Sequence, residues 1–133
     1  MSPTSAGRTT SVLIVEDHGR VRESLQDWIR EFIPDARVRA VDSGEAALHA
    51  LAEHPAHLVL MDVGLPGMNG IEATRALNRS FPEAAVIVLS DEAAPEYRRE
   101  ALSAGAAAYL HKSHINDRLR RLLGCLLQAG GKV

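Results

Sequence analysis

Five residues with reactive or charged side chains stand at the ends of short apolar runs. Glu16 and Asp17 follow Val12-Leu13-Ile14-Val15, and Asp62 follows Leu58-Val59-Leu60-Met61. Ser90 follows Val86-Ile87-Val88-Leu89, and Lys112 comes just after Ala107-Ala108-Tyr109-Leu110. Carboxylates crowded at short range raise one another's pKa or push their loops apart unless a cation intervenes. Mg²⁺ suits such a cluster, because it prefers oxygen ligands, keeps several waters, and is usually held by a few carboxylates plus a phosphate. A phosphoryl group carried by one carboxylate would then be shared by metal, ammonium and hydroxyl, the electrostatic kit of an aspartyl phosphate. Singly, an acid at a strand end is an ordinary helix N-cap or a solvated loop residue. The joint pattern points to chemistry.

That convergence needs a fold that brings the ends of separate runs to one place. The three runs at 12–15, 58–61 and 86–89 are continuously apolar, as in strands buried on both faces of a helix-covered parallel sheet. Two weaker runs, Arg37-Val38-Arg39-Ala40-Val41 and Ala107-Ala108-Tyr109-Leu110, suit edge strands. Between them lie segments of helical period. Val21, Leu25, Trp28, Ile29 and Phe32 form one apolar stripe, and Ile115, Leu119, Leu122, Leu123 and Leu126 form another. Ser43-Gly44-Glu45 opens a helix to about Glu53, and Asn69-Gly70 one to about Phe81. Pro95 suits the first turn of a helix stopped at Gly105. Strict strand–helix alternation predicts an α/β, flavodoxin-like, doubly wound five-stranded parallel sheet, order 2-1-3-4-5, with five helices. Sites in such sheets lie at the carboxyl ends of the strands.

Composition excludes other classes. The chain has 133 residues, within the range of one domain, with 46% hydrophobic and 24% charged residues, which excludes a mostly disordered chain. Its net charge of −2 and 4% aromatics argue against direct nucleic-acid binding. No apolar run reaches the length of a membrane span. The single cysteine, Cys125, cannot form an internal disulfide and fits a reducing, cytoplasmic setting; its place in the last apolar stripe suggests a packing role. A flexible tail is expected over 1–10, one domain over 11–128, and a frayed end or linker start over 129–133.

Four blocks carry a family resemblance: Val12–Asp17, Leu60–Gly70, Val88–Ser90 and Ala104–Lys112. Together they resemble the receiver domain of two-component response regulators, most of all receivers that precede helix-turn-helix output domains. The resemblance implies that Asp62 accepts a phosphoryl group from a sensor histidine kinase or a histidine phosphotransfer protein. It implies that Glu16, Asp17, Asp62 and the backbone carbonyl of Gly64 hold Mg²⁺. It further implies that Lys112 pairs with the phosphoryl oxygen, that the Ser90 hydroxyl moves to hydrogen-bond it, and that Tyr109 is the aromatic switch. The product would be a switch rather than an enzyme, catalysing only its own phosphorylation and dephosphorylation. A phosphorylation-dependent homodimer would use the fifth strand and the last two helices. Two other readings stay open: a degenerate receiver that binds proteins without phosphorylation, and the receiver half of a longer DNA-binding transcription regulator.

Three positions depart from the family pattern. The acid pair is Glu16-Asp17 rather than two aspartates. Lys112 is followed by Ser113 where many receivers have a cis proline; a cis bond before serine costs about 3 kcal/mol, so a trans turn is expected. Asp91 follows Ser90 where a small residue is usual, so altered phosphorylation or dephosphorylation rates are expected. A flavin or nucleotide binder would need a Gly-rich phosphate loop where Glu16-Asp17 stands. An aspartate phosphatase would usually place its nucleophile after the first strand. Of the six histidines, His18, His111 and His114 lie near the acids or Lys112, and none has zinc-ligand spacing with Cys125.

Overall fold

The computed structural model describes residues 9–91 and 95–131, with side chains as far as 126. Five strands form one parallel sheet: β1 (Ser11–Val15), β2 (Arg37–Val41), β3 (Leu58–Asp62), β4 (Ala85–Ser90) and β5 (Ala108–His111). Their order is β2-β1-β3-β4-β5, as the apolar runs predict. The helices are α1 (Gly19–Phe32), α2 (Gly44–Glu53), α3 (Gly70–Ser80), α4 (Pro95–Ser103) and α5 (Arg120–Gly131).

The sheet divides two cores. Side chains alternate across a strand, so Leu13 and Val15 of β1 join Val59, Met61, Val86 and Val88 on one face, against Ala47, Leu51, Ala73, Leu77 and Ala101 of α2, α3 and α4. Val12, Ile14, Leu58, Leu60, Ile87 and Leu89 face the other way, onto Leu25 and Ile29 of α1 and Leu123 of α5. Two covered faces explain why β1, β3 and β4 are apolar without alternation, whereas β2 and β5 are only partly buried along most of their length. Each large aliphatic side chain buried this way contributes about 2 kcal/mol.

Local chemistry sets the turns next to the strand ends. Asn69 caps α3: its Oδ1 accepts from the N–H groups of Ile71 and Glu72, and Glu72 Oε1 accepts from the Asn69 N–H. That reciprocal box satisfies donors the first helical turn leaves open. Gly67 (φ 68°) and Gly105 (φ 109°) take the left-handed backbone that side chains disfavour. Arg39 of β2 donates to the carbonyls of Ala50 and His54, closing the C-terminal end of α2.

The C-terminal end departs from expectation. The last apolar stripe is not one α-helix. A 3₁₀ turn (Lys112–His114) and a π turn (Ile115–Leu119) precede α5. The wider π turn stacks Ile115 over Leu119 on the same core and lets Asn116 Oδ1 accept from Trp28 Nε1 at 2.9 Å. Cys125 is exposed rather than packed, because it lies two residues past buried Leu123, on the opposite side of the helix. α5 continues through Gly131, across the first part of the expected 129–133 end. Residues 1–8 of the expected tail, and 132–133, lie outside the described residues.

Candidate functional site

The carboxyl ends of the strands gather the reactive side chains. Glu16 extends β1: its N–H donates to the Val41 carbonyl at 3.0 Å, and its side chain is buried. Arg22, in the first turns of α1, donates through Nη1 to the carbonyl oxygen of Glu16 at 2.9 Å and lies 3.5 Å from that of Asp17. Nothing in the sequence singled out Arg22, since a lone arginine in a helix is usually solvated. The His18 N–H donates to Glu16 Oε2 at 3.2 Å, and the His18 ring is exposed. Asp17 is exposed beside buried Glu16, and Asp62 ends β3 with 7% of its surface exposed.

One carboxylate oxygen from each of Glu16, Asp17 and Asp62 lies within 4.8 Å of the others. Lys112 reaches them from the far side of the sheet. Its Nζ is 3.1 Å from Glu16 Oε1, 3.0 Å from Asp62 Oδ1 and 3.9 Å from Asp91 Oδ2. Burial pushes the Glu16 carboxyl up, the charge of Asp62 adds to that, and Lys112 only partly offsets both. Burial alone would lower the Lys112 ammonium. Its hydrogen bonds to Asp62 and Glu16 outweigh burial and hold it above its ordinary value.

Ser90 is the buried last residue of β4, one position beyond Leu89, which is paired with Asp62. Tyr109 is buried on β5 beside Val88, in the core shared with α4. Gly64 lies two residues past Asp62, where an added Cβ would stand 3.9 Å from Asp62 Oδ2. Asp91 is 81% exposed in its side chain, yet its carboxylate leans over Lys112. No peptide bond among the described residues is cis, so the turn after Lys112 is trans. The donor set fits a hard divalent cation: three carboxylates against one ammonium leave an excess of negative charge that Mg²⁺ would cancel.

Residues 12–123 match the family of response regulator receiver domains. The chain belongs to that family. A curated relative, the transcriptional activator protein ExaE of Pseudomonas putida, is 37% identical over 102 residues, 77% of this chain and 48% of its own. The transcriptional regulatory protein DegU of Brevibacillus brevis is 32% identical over 123 residues, 92% of this chain and 52% of its own. The receiver thus spans about half the length of the curated relatives it matches. Among solved structures, a LuxR-family two-component response regulator from Aurantimonas is 27% identical with TM-score 0.82, covering 90% of this chain and 86% of that one. The BeF₃-activated receiver domain of DrrB is 25% identical with TM-score 0.80, covering 90% and 98%. The protein is therefore a response-regulator receiver of the two-component type. Its family binds Mg²⁺ at an acidic cluster, and Glu16, Asp17 and Asp62 form such a cluster here. Among the described residues no helix is long and apolar enough to cross a membrane.

Proposed function

We propose that Asp62 is the phospho-acceptor. One of its carboxylate oxygens attacks the phosphorus of a phosphohistidine on a sensor histidine kinase or histidine phosphotransfer protein. The new O–P bond forms as the N–P bond breaks, and the departing imidazole takes a proton from solvent. Glu16, Asp17 and Asp62, with the Gly64 carbonyl, would hold Mg²⁺. The ion would supply positive charge to the phosphoryl oxygens. Lys112 supplies a second cation from the opposite side. Ser90 donates its hydroxyl to the phosphoryl group, and Tyr109 follows that movement. The added charge and hydrogen bonds bias a two-state loop.

The carrying observation is Lys112 Nζ within 3.1 Å of both Glu16 and Asp62. Those three residues come from three separate strand ends, and an ammonium so placed serves phosphoryl transfer. The domain acts as a cytoplasmic switch whose only catalysis is on its own aspartate. The face of α4, β5 and α5 forms the phosphorylation-dependent homodimer. The relatives, about twice as long and named as transcription regulators, favour the receiver half of a DNA-binding regulator as the wider context.

Intact mass after incubation with phosphoramidate, with and without Mg²⁺, tests the assignment on wild type and Asp62→Asn. A single Mg²⁺-dependent phosphoryl adduct, absent from the variant, is expected. No adduct under any condition would leave a phosphorylation-independent binding module.

A further inference from the structure

Lys112 must keep a long side chain in one place. Its four-carbon stem is flexible, and holding it still costs rotamer entropy. The turn that carries it is trans and has no proline. Something else fixes the turn. His111, the last residue of β5, caps the 3₁₀ turn 112–114: its Nδ1 accepts from the Ser113 N–H at 3.1 Å, with Ser113 Oγ at 2.8 Å from the same nitrogen. Its Nε2 lies 2.8 Å from the carbonyl oxygen of Asp91. A backbone N–H only donates and a carbonyl only accepts. The lone pair is therefore on Nδ1 and the proton on Nε2, a single neutral tautomer. His111 pairs in register with Ser90, so the ring spans the last rung of the sheet. It ties the segment after Ser90 to the turn that carries Lys112.

We infer that His111 is a positioning residue whose ring straps these two loops together and thereby holds the Lys112 ammonium between Asp62 and Glu16. It does mechanically what a proline ring at position 113 would do. The strap also couples the two loops: movement of the Ser90–Asp91 segment pulls on the Ser113 cap and so on the lysine. The consequence for phosphorylation rests on the phospho-acceptor reading above.

Three variants of the full chain separate the strap's two arms. His111→Phe keeps the ring's bulk and loses all three of its hydrogen-bond contacts. His111→Asn keeps an acceptor where Nδ1 stands and is a favoured N-cap. His111→Gln reaches Asp91 without capping Ser113 and repeats the comparison if the Phe variant does not fold. Two readouts are taken: the rate of adduct formation with phosphoramidate and Mg²⁺, and the NMR order parameter of the Lys112 side chain at one fixed pH. In His111→Phe, phosphorylation slows about tenfold or more, as expected for a misplaced catalytic group, and the Lys112 order parameter falls toward that of a mobile surface lysine. His111→Asn and His111→Gln, each keeping one arm, each recover only part of both. A melting temperature that drops alike in all variants with the Lys112 order parameter unmoved, or full recovery by either single-arm variant, overturns the strap. If wild type forms no adduct, the phospho-acceptor assignment fails separately, and the Lys112 order parameter still decides for or against His111.

Discussion

Gly70 and Asp62 touch backbone to backbone. A Cβ added at Gly70 would collide with the Asp62 carbonyl oxygen and stand 2.8 Å from the Val63 Cα. The Gly70 N–H also donates to the Val63 carbonyl at 3.0 Å. The first turn of α3 thus rests directly on the strand end that presents Asp62.

Gly70→Ala should therefore perturb stability and chemistry together. The clash is with main chain, which no rotamer change relieves. A loss of about 1–3 kcal/mol in urea unfolding is expected, the usual range for overpacking. Phosphorylation should slow as Asp62 shifts. A variant with wild-type unfolding and wild-type adduct formation would show that the loop yields freely.

Removing the ammonium tests the site's charge balance. Lys112→Met takes away the cation that the acids of β1 and β3 share. Without Mg²⁺ it should destabilise the protein by about 2 kcal/mol, the cost of stripping charged hydrogen bonds from buried carboxylates. Mg²⁺ should restore part of that loss. Chemical denaturation with and without Mg²⁺ reads both numbers.

The raised Glu16 sets a pH dependence in the metal-free protein. Its folded pKa lies above the ordinary glutamate value of 4.5, which stands for the unfolded chain. Between the two the folded state holds more protons, so the Glu16 contribution is full below the unfolded pKa and is lost as pH rises through the folded one. Lys112, raised above 10.5, likewise loses its contribution only as pH climbs through its folded value. Glu16→Gln should flatten the fall in stability above pH 4.5. Melting temperature from about pH 4 upward in metal-free buffer tests it; an unchanged slope counts against the assignment.

Asp91 puts a third carboxylate near Lys112, after those of Glu16 and Asp62, at 3.9 Å from its Nζ. Its exposure means solvent and salt screen it. Asp91→Ala should speed phosphorylation by an anionic small donor about threefold at low salt and less at high salt, as expected of one screened charge. Unchanged phosphorylation and dephosphorylation rates at both salt levels would rule the carboxylate out as a modulator.

Much of the frame was legible because burial on both faces leaves a plain mark. Val12–Val15, Leu58–Met61 and Val86–Leu89 read as central strands since neither face meets water. The positions of Glu16, Asp62, Ser90 and Lys112 followed from the rule that parallel strands present their carboxyl ends together. Asn69 announced α3 by its side chain. Other features left no such mark. The π turn at Ile115–Leu119 was hidden because its apolar spacing equals that of a plain helix. The exposure of Cys125 was hidden too, because a stripe of leucines on both sides of it does not say which way one residue points. The His111 bridge joins residues 20 apart in sequence through a ring nitrogen and a carbonyl, and no pattern of side-chain types encodes that.

Lys112 and Glu16 are separated by 96 positions, yet their side chains hydrogen-bond. The acids come from β1 and β3, and the lysine from the last strand to be added. A chain still being synthesised, or one whose β5 has peeled from β4, has its acids but not their ammonium. The acids and their ammonium therefore meet only when β5 is paired with β4, so a contact between side chains at opposite ends of the sequence reports that the sheet is closed at that edge.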